Sequence, residues 1–418
     1  MLYVGVDDTD SKLGMCTTYL AAVLAERLAS FGIHGYPRLI RLNPNIKYKT
    51  RGNAALCLVL EKGPIDDVEK IVVSAVEEYA RFEDENTNPG VVVHDGEVPD
   101  EVRSFALRVV RDVVEIGEAA GLAEKYGMRV RRYKNGRGII GALASIGLDL
   151  YDHTYELLAY RMPENYEKPR WLDEDSVYRM NAATYPDTWD NVDLRNKVIV
   201  FSPHTPDPVL YGIRGNDPGV LLKAQKMLVT EPVERSQIFI TNQGTDMHLM
   251  EAKISEIRND GSYILRGFVF DEPHAIEGGH VFFEIEQAGV TVKCAAFEPT
   301  KNFREIVKKL IKGDEVRVYG SVKNDTVNLE KLEVIRLAEQ YNKTPSKCLE
   351  CGRSMESIGK DKGYRCRKCG TKHASPAYEK VGRDLETGLY EVPPSARRHL
   401  AKQIIRIKEP WCTMHPSR

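Results

Sequence analysis

The sequence predicts a multidomain α/β plus β protein: an α/β domain, an α+β domain, a small β-barrel and a cysteine-rich module, in that order. Three observations carry this. Helical and strand-like apolar periods alternate over residues 1–241, and strand-like runs with one helical stretch follow to residue 340. Four of the eight cysteines then form two CxxC pairs near the C-terminus. At 418 residues the chain exceeds one ordinary core, and 42% apolar against 29% charged residues is the balance of a globular protein. The net charge of −2 neither supports nor excludes a polyanionic partner. No apolar run approaches the ~18 residues of a membrane span. A strand directly after Met1 leaves no room for a secretion signal, and the cysteine usage suits a reducing cytoplasm.

In residues 1–150, "LYVGV" reads as a buried strand and 16–30 as an amphipathic helix ended by Gly32. "AALCLVL" (54–60) is a second strand, 65–80 a helix, and further helices fit 100–115 and 137–147. Residues 151–241 read as βαββαβ, the ferredoxin-like order, with "KVIVFS" (197–202) as the second strand. Residues 242–340 hold six strand candidates, beginning with "MEAKISEIR", and the helical "KNFREIVKKLI"; this pattern predicts an OB-type barrel. Residues 341–375 are the cysteine module, and 376–418 a basic tail in which "SARRHLAKQIIRIK" is patterned as a short helix.

The strongest chemical signal is "CLECGRSMESIGKDKGYRCRKCG". Cys348, Cys351, Cys366 and Cys369 have the spacing of a zinc ribbon, and four thiolates close a structural Zn²⁺ site without an open position. Arg353, Lys360, Lys362, Arg365, Arg367, Lys368 and Lys372 crowd it. Beside an OB barrel, that surface points to a nucleic acid, with RNA favoured over a merely solvated face.

Asp7, Asp8 and Asp10 crowd the end of the first strand, where unpaired burial would be costly. Mg²⁺ on a nucleoside triphosphate resolves that repulsion, whereas helix capping accounts for Asp10 alone. Thr17 and Thr18 follow at a helix start, placed to meet phosphate or metal. "RRYKNGRGIIGALASIG" offers Lys134, Gly136, Arg137, Gly138 and Gly141 as a second phosphate-facing turn, although any loop before a helix uses glycine. Asn43, Asn45, Lys49, Thr50, Arg51 and Asn53 form a third polar cluster. Asn88 lies in "ENTNPGVVV", where ordinary turn chemistry competes with a substrate role.

"VGVDDTDS…GMCTTYLA", "RLNPN…KTRGNAA", "NTNPGVVV", "GRGIIGALASIG" and "VLYGIRGNDP", in this order, resemble the archaeal tRNA(Ile) 2-agmatinylcytidine synthetase family over residues 3–375. The segment 46–54 departs from the pattern, with Lys47-Tyr48 and Ala54 where Pro-Trp and Gly are expected. The resemblance implies an ATP-dependent ligase that attaches agmatine to carbon 2 of the wobble cytidine of a CAU-anticodon isoleucine tRNA, so that AUA is decoded. It implies ATP and the target cytidine at the N-terminal domain, tRNA grasped by the others, and no obligate protein partner. Asp7, Asp8, Asp10 and Thr18 become the catalytic set, with Thr18 before Thr17 as a phosphate acceptor. Thr17, Lys134, Gly136, Arg137, Gly138 and Gly141 become the nucleotide site. Asn43, Asn45, Lys49, Thr50, Arg51, Asn53, Asn88, Arg214 and Asn216 become substrate contacts. Agmatine, a dication, requires a carboxylate that the sequence does not single out.

Two rivals stand beside this. A haloacid-dehalogenase-like phosphotransferase shares the DxD strand end but needs later motifs that are absent here. A non-enzymatic OB and zinc-ribbon RNA-binding protein leaves the aspartate cluster unexplained. Nucleotide hydrolysis stimulated by tRNA separates the three.

Overall fold

Residues 1–49, 52–359, 362–373 and 375–418 are described by a computed structural model. The first segment holds β1 (Leu2–Asp7), α1 (Thr17–Arg27), β2 (Arg38–Arg41), β3 (Ala54–Leu60), α2 (Ile65–Tyr79) and β4 (Gly90–Asp95). It continues with α3 (Asp100–Arg111), α4 (Ile116–Lys125), β5 (Arg129–Arg132) and α5 (Ile139–Gly147). α5 is buried along its whole length, which its Ala, Ile and Gly content permits and which the apolar stripe of a surface helix would not need.

The second segment holds β6 (Thr154–Arg161), α6 (Glu174–Thr184), β7 (Thr188–Trp189), β8 (Val192–Asp193), β9 (Val198–Ile199), β10 (Val209–Gly215), α7 (Pro218–Met227) and β11 (Val233–Thr241). Both helices are capped by an aspartate, Asp173 and Asp217, whose side chain accepts from the third helical residue. The two segments share one nine-stranded sheet, ordered β5-β4-β1-β3-β2-β11-β6-β10-β7. The seam is the short parallel pairing of β2 with β11.

The strand expected at 197–202 does not join this sheet. Only β9 forms, in a hairpin with β8, and β7 takes the sheet edge beside β10. Pro203, Pro206 and Pro208 remove ladder donors just beyond β9, and residues 200–207 turn away to wall a cleft instead.

The third segment runs through β12 (Met250–Glu251), β13 (Ser262–Ala275), β14 (Val281–Gln287), β15 (Val290–Ala296), α8 (Phe303–Val307), β16 (Glu315–Lys323) and β17 (Thr326–Arg336). β13-β14-β15-β17-β16 closes on itself through the β13–β16 pairing, with β15–β17 parallel and the rest antiparallel. Val281, Phe283 and Ile285 alternate inward on β14, the two-residue period of a barrel wall. The expected strand over 250–258 is corrected to two residues followed by a 3₁₀ turn at Ile254–Glu256, and the helix at 301–311 contracts to five residues.

β18 (Gln340–Thr344) leads into β19 (Glu356–Ser357), β20 (Tyr364–Arg365) and β21 (Lys372–His373), a small sheet carrying the cysteines. β22 (Ala377–Val381) returns against β18. β23 (Gly388–Glu391) and β24 (Met414–His415) then extend the barrel sheet. Between them the expected helix at 395–408 is absent; two 3₁₀ turns, Pro394–Ala396 and Ile404–Arg406, stand there. Long-range pairing wins over local helix propensity. The buried Arg397 guanidinium bonds Asp190 and Glu391, while Lys402 and Arg406 bond Asp152. The tail is a strap across the sheet and the barrel.

Candidate active site

A cleft of about 390 Å³ opens where β1, β2, β6 and β10 end at one edge of the shared sheet. Asp7, Asp8, Asp10, Thr17, Thr18, Asn43, Lys49, Asn53, Arg137, Gly138, Gly141 and Arg214 all line it.

Asp8 sits at φ 60°, so the chain reverses sharply as it leaves β1. Burial, together with the neighbouring Asp8 and Asp10 charges, pushes the Asp7 carboxyl well above the usual carboxylate range. Burial and the Asp10 charge push Asp8 up to about 7, against hydrogen bonds from Asn88 and the Arg137 charge. Three crowded carboxyls that resist ionisation are a donor set suited to a hard cation, which would favour their charged forms. Asn88 therefore touches the site through Asp8 rather than lining the cleft.

The glycines have a different task from the one expected. A Cβ on Gly138 would meet Gly90 N, Asn88 O and Asp7 O, and a Cβ on Gly141 would overlap the Asp7 carboxylate. The Gly138 N–H already donates to Asn88 O. These glycines let three segments converge on the carboxylates; they are not a free cradle of donors. Gly136 and Lys134 stand outside the cleft, and Lys134 Nζ donates to the carbonyls of Phe82 and Asp84. Arg137 does face in, its guanidinium 3.9 Å from the Tyr48 ring centroid.

Thr17 and Thr18 are buried in the first turn of α1, with Thr18 Oγ1 3.0 Å from Cys16 Sγ. In the third cluster, Asn43 and Asn53 line the cleft, and Asn53 donates to Asn43 O at 2.8 Å. Asn45 does not line it. Its amide donates to Asp260 O, Gly261 O and Ser262 Oγ, pinning the barrel to the first segment. Asn216 is likewise placed elsewhere, accepting from Arg406 of the strap at 3.0 Å. Thr50 and Arg51 lie outside the described residues.

The sequence did not single out Arg41, Glu156, Asp207 or His399, all of which wall the cleft. Glu156 accepts from Arg214 at 3.0 Å and lies 3.7 Å from Arg41. A glutamate inside the apolar strand "YELLAY" was the available signal. For His399, arriving on the strap, there was none.

At the other end of the chain, the Sγ atoms of Cys348, Cys351, Cys366 and Cys369 lie within 4.8 Å of one another. Gly352 and Gly370, at φ 69° and 73°, let each CxxC turn close, and Cys369 N donates to Cys366 Sγ. The four thiols fit a tetrahedral structural zinc site.

Known proteins match this chain over its whole length. Family models described as the TiaS TCKD, TiaS FLD and TiaS C-terminal zinc ribbon domains match residues 3–135, 136–248 and 345–385. The tRNA(Ile) 2-agmatinylcytidine synthetase TiaS of Archaeoglobus fulgidus is 51% identical over 409 residues, 97% of each chain. That of Methanosarcina acetivorans is 47% identical over 428 residues, 100% of each. Among solved structures, a complex of TiaS with its isoleucine tRNA and ATP superposes with a TM-score of 0.92 at 49% identity, covering 100% of this chain and 99% of that one. A complex of TiaS with the same tRNA, AMPCPP and agmatine gives 0.90 at 46%, with the same coverage.

Proposed function

The chain belongs to the tRNA(Ile) 2-agmatinylcytidine synthetase family, and from that premise we propose how its cleft performs the reaction. The enzyme is an ATP-dependent ligase that joins agmatine to carbon 2 of the wobble cytidine of the CAU-anticodon isoleucine tRNA, so that AUA is decoded. The phosphotransferase and non-enzymatic readings fall away.

One observation carries the mechanism: the aspartates at the end of β1, the Thr17-Thr18 turn and Arg137 face a single cleft. The 2-oxygen of cytosine is a poor leaving group until phosphorylated. Asp7, Asp8 and Asp10 are the residues that would hold Mg²⁺, which when bound neutralises phosphate charge. Arg137 offsets the charge of the triphosphate, and Thr18, at a helix N-terminus, accepts the γ-phosphate on its way to the base. The target base must leave the anticodon stack to enter the cleft. The agmatine amine then displaces phosphate from carbon 2. Its guanidinium needs a carboxylate, and Asp112 and Asp207 are the lining carboxylates outside the aspartate cluster and the Glu156 pair.

The β11-β6-β10-β7 half with α6 and α7 follows the ferredoxin-like order, and the closed five-stranded ring follows that of an OB fold; both are assigned to gripping tRNA, with the zinc ribbon beside them. Among the described residues no helix is long and apolar enough to cross a membrane, and we assign the enzyme to the cytoplasm, where its tRNA substrate is used. Mass spectrometry of nucleosides from CAU-anticodon isoleucine tRNA, after incubation with ATP and agmatine, tests the reading. Conversion of the wobble cytidine is expected; unmodified cytidine with all three components present refutes it.

A further inference from the structure

The cleft has a cationic end that the phosphate chemistry at β1 does not use. Arg41 and Arg214 close on one carboxylate, Glu156, whose second oxygen also accepts from Gln243 at 2.5 Å. Two guanidiniums against one carboxylate leave a surplus positive charge in a partly enclosed place, an arrangement that is costly without an anion. Arg41 Nε and His399 Nδ1 are buried with no hydrogen-bond partner among the described residues. Lys49 stands exposed on the same wall and adds charge.

We propose that Arg41, Arg214 and His399, with Lys49 at the rim, form a phosphate-binding subsite that takes the RNA backbone phosphate beside the target nucleotide. This rests on the reaction assigned above. Sheet order separates the subsite from the nucleotide end. Arg41 leaves β2, two strands from β1, and Arg214 leaves β10, five strands away. At ~4.8 Å per strand the subsite begins about 10 Å from the aspartates, room for a flipped base between the two ends. Burial and the Arg41, Arg214 and Lys49 charges hold His399 well below the usual histidine range, so it serves as a neutral donor.

The test measures tRNA affinity across a salt series, and ATP affinity separately, for the full-length protein and three variants. Lys49→Gln and Arg214→Gln should each weaken tRNA binding by about 3- to 10-fold and lower the salt slope by roughly 0.7, the release expected per single-strand phosphate contact. His399→Ala should weaken tRNA binding with the slope unchanged. ATP affinity should hold in all three. Weakened ATP binding with unchanged tRNA binding would assign the anion to the triphosphate and overturn the proposal. Unchanged binding of both by the exposed Lys49→Gln and by His399→Ala would remove the subsite altogether. These binding readouts do not need turnover, so a failure of the assigned reaction would show separately, as unmodified tRNA with the wild type.

Discussion

Asp7 at the end of β1 and Gly141 in the first turn of α5 are so close that a side chain on the glycine would overlap the carboxylate. The buried helix is thereby the back wall of the aspartate cluster, and its sequence is constrained from a strand about 130 residues earlier. Gly141→Ala must displace either Asp7 or α5. Overpacking of this kind costs about 1–3 kcal/mol. Product formation should fall by at least about 100-fold while the barrel and zinc module stay folded, as read by turnover beside circular dichroism.

Asp8→Asn and Asp10→Asn remove charge at nearly constant shape. Each should keep the fold and lower product formation by about 100-fold or more, the loss expected when a cation-positioning ligand goes. Near-normal turnover in both would reduce the cluster to helix capping.

Much of this site was legible because its parts are local. The apolar runs that became β1 and β3, the period of α2, the aspartate cluster with its two threonines, and the cysteine quartet all lie within short stretches. What sequence could not carry is long-range. Lys134 and Asn45 look like ligands in isolation, yet their polar groups are taken by Phe82, Asp84 and Asp260, far off in the chain. The residues of the strap have helical spacing, and ion pairs with Asp190, Glu391 and Asp152 draw them out of it. The run at 197–202 has strand-like residues, but the prolines behind it send the chain to the cleft wall.

Cys366→Ser should release the zinc and weaken tRNA binding while ATP affinity survives, because the thiolates and the cleft belong to different parts of the chain. Metal content by atomic emission checks it, and an unchanged zinc stoichiometry would contradict the four-thiolate site.

A buried pair fastens the barrel to the linker before it: Glu330 Oε2 lies 3.0 Å from His248 Nε2. Burial would raise Glu330, but the His248 imidazole, with Arg398 and Lys331, holds it down to about 2. A depressed carboxylate contributes stability above its unfolded value near 4.5, and that contribution is lost as pH falls toward 2. Glu330→Gln should therefore destabilise the barrel by up to about 3 kcal/mol at pH 7 and much less near pH 3. Thermal melts of both proteins at the two pH values measure it.

The central claim is that Thr18 carries the γ-phosphate between ATP and the base, and labelling tests it most directly. ATP labelled in the γ-phosphate, incubated with the enzyme and followed by peptide mapping, should place label on the Thr18 peptide. Thr18→Ser should retain label and partial activity. Thr18→Ala should lose both without unfolding, beyond the ~1 kcal/mol that a lost cap costs. A wild-type enzyme that modifies tRNA without ever labelling Thr18, together with an active Thr18→Ala variant, would contradict the account.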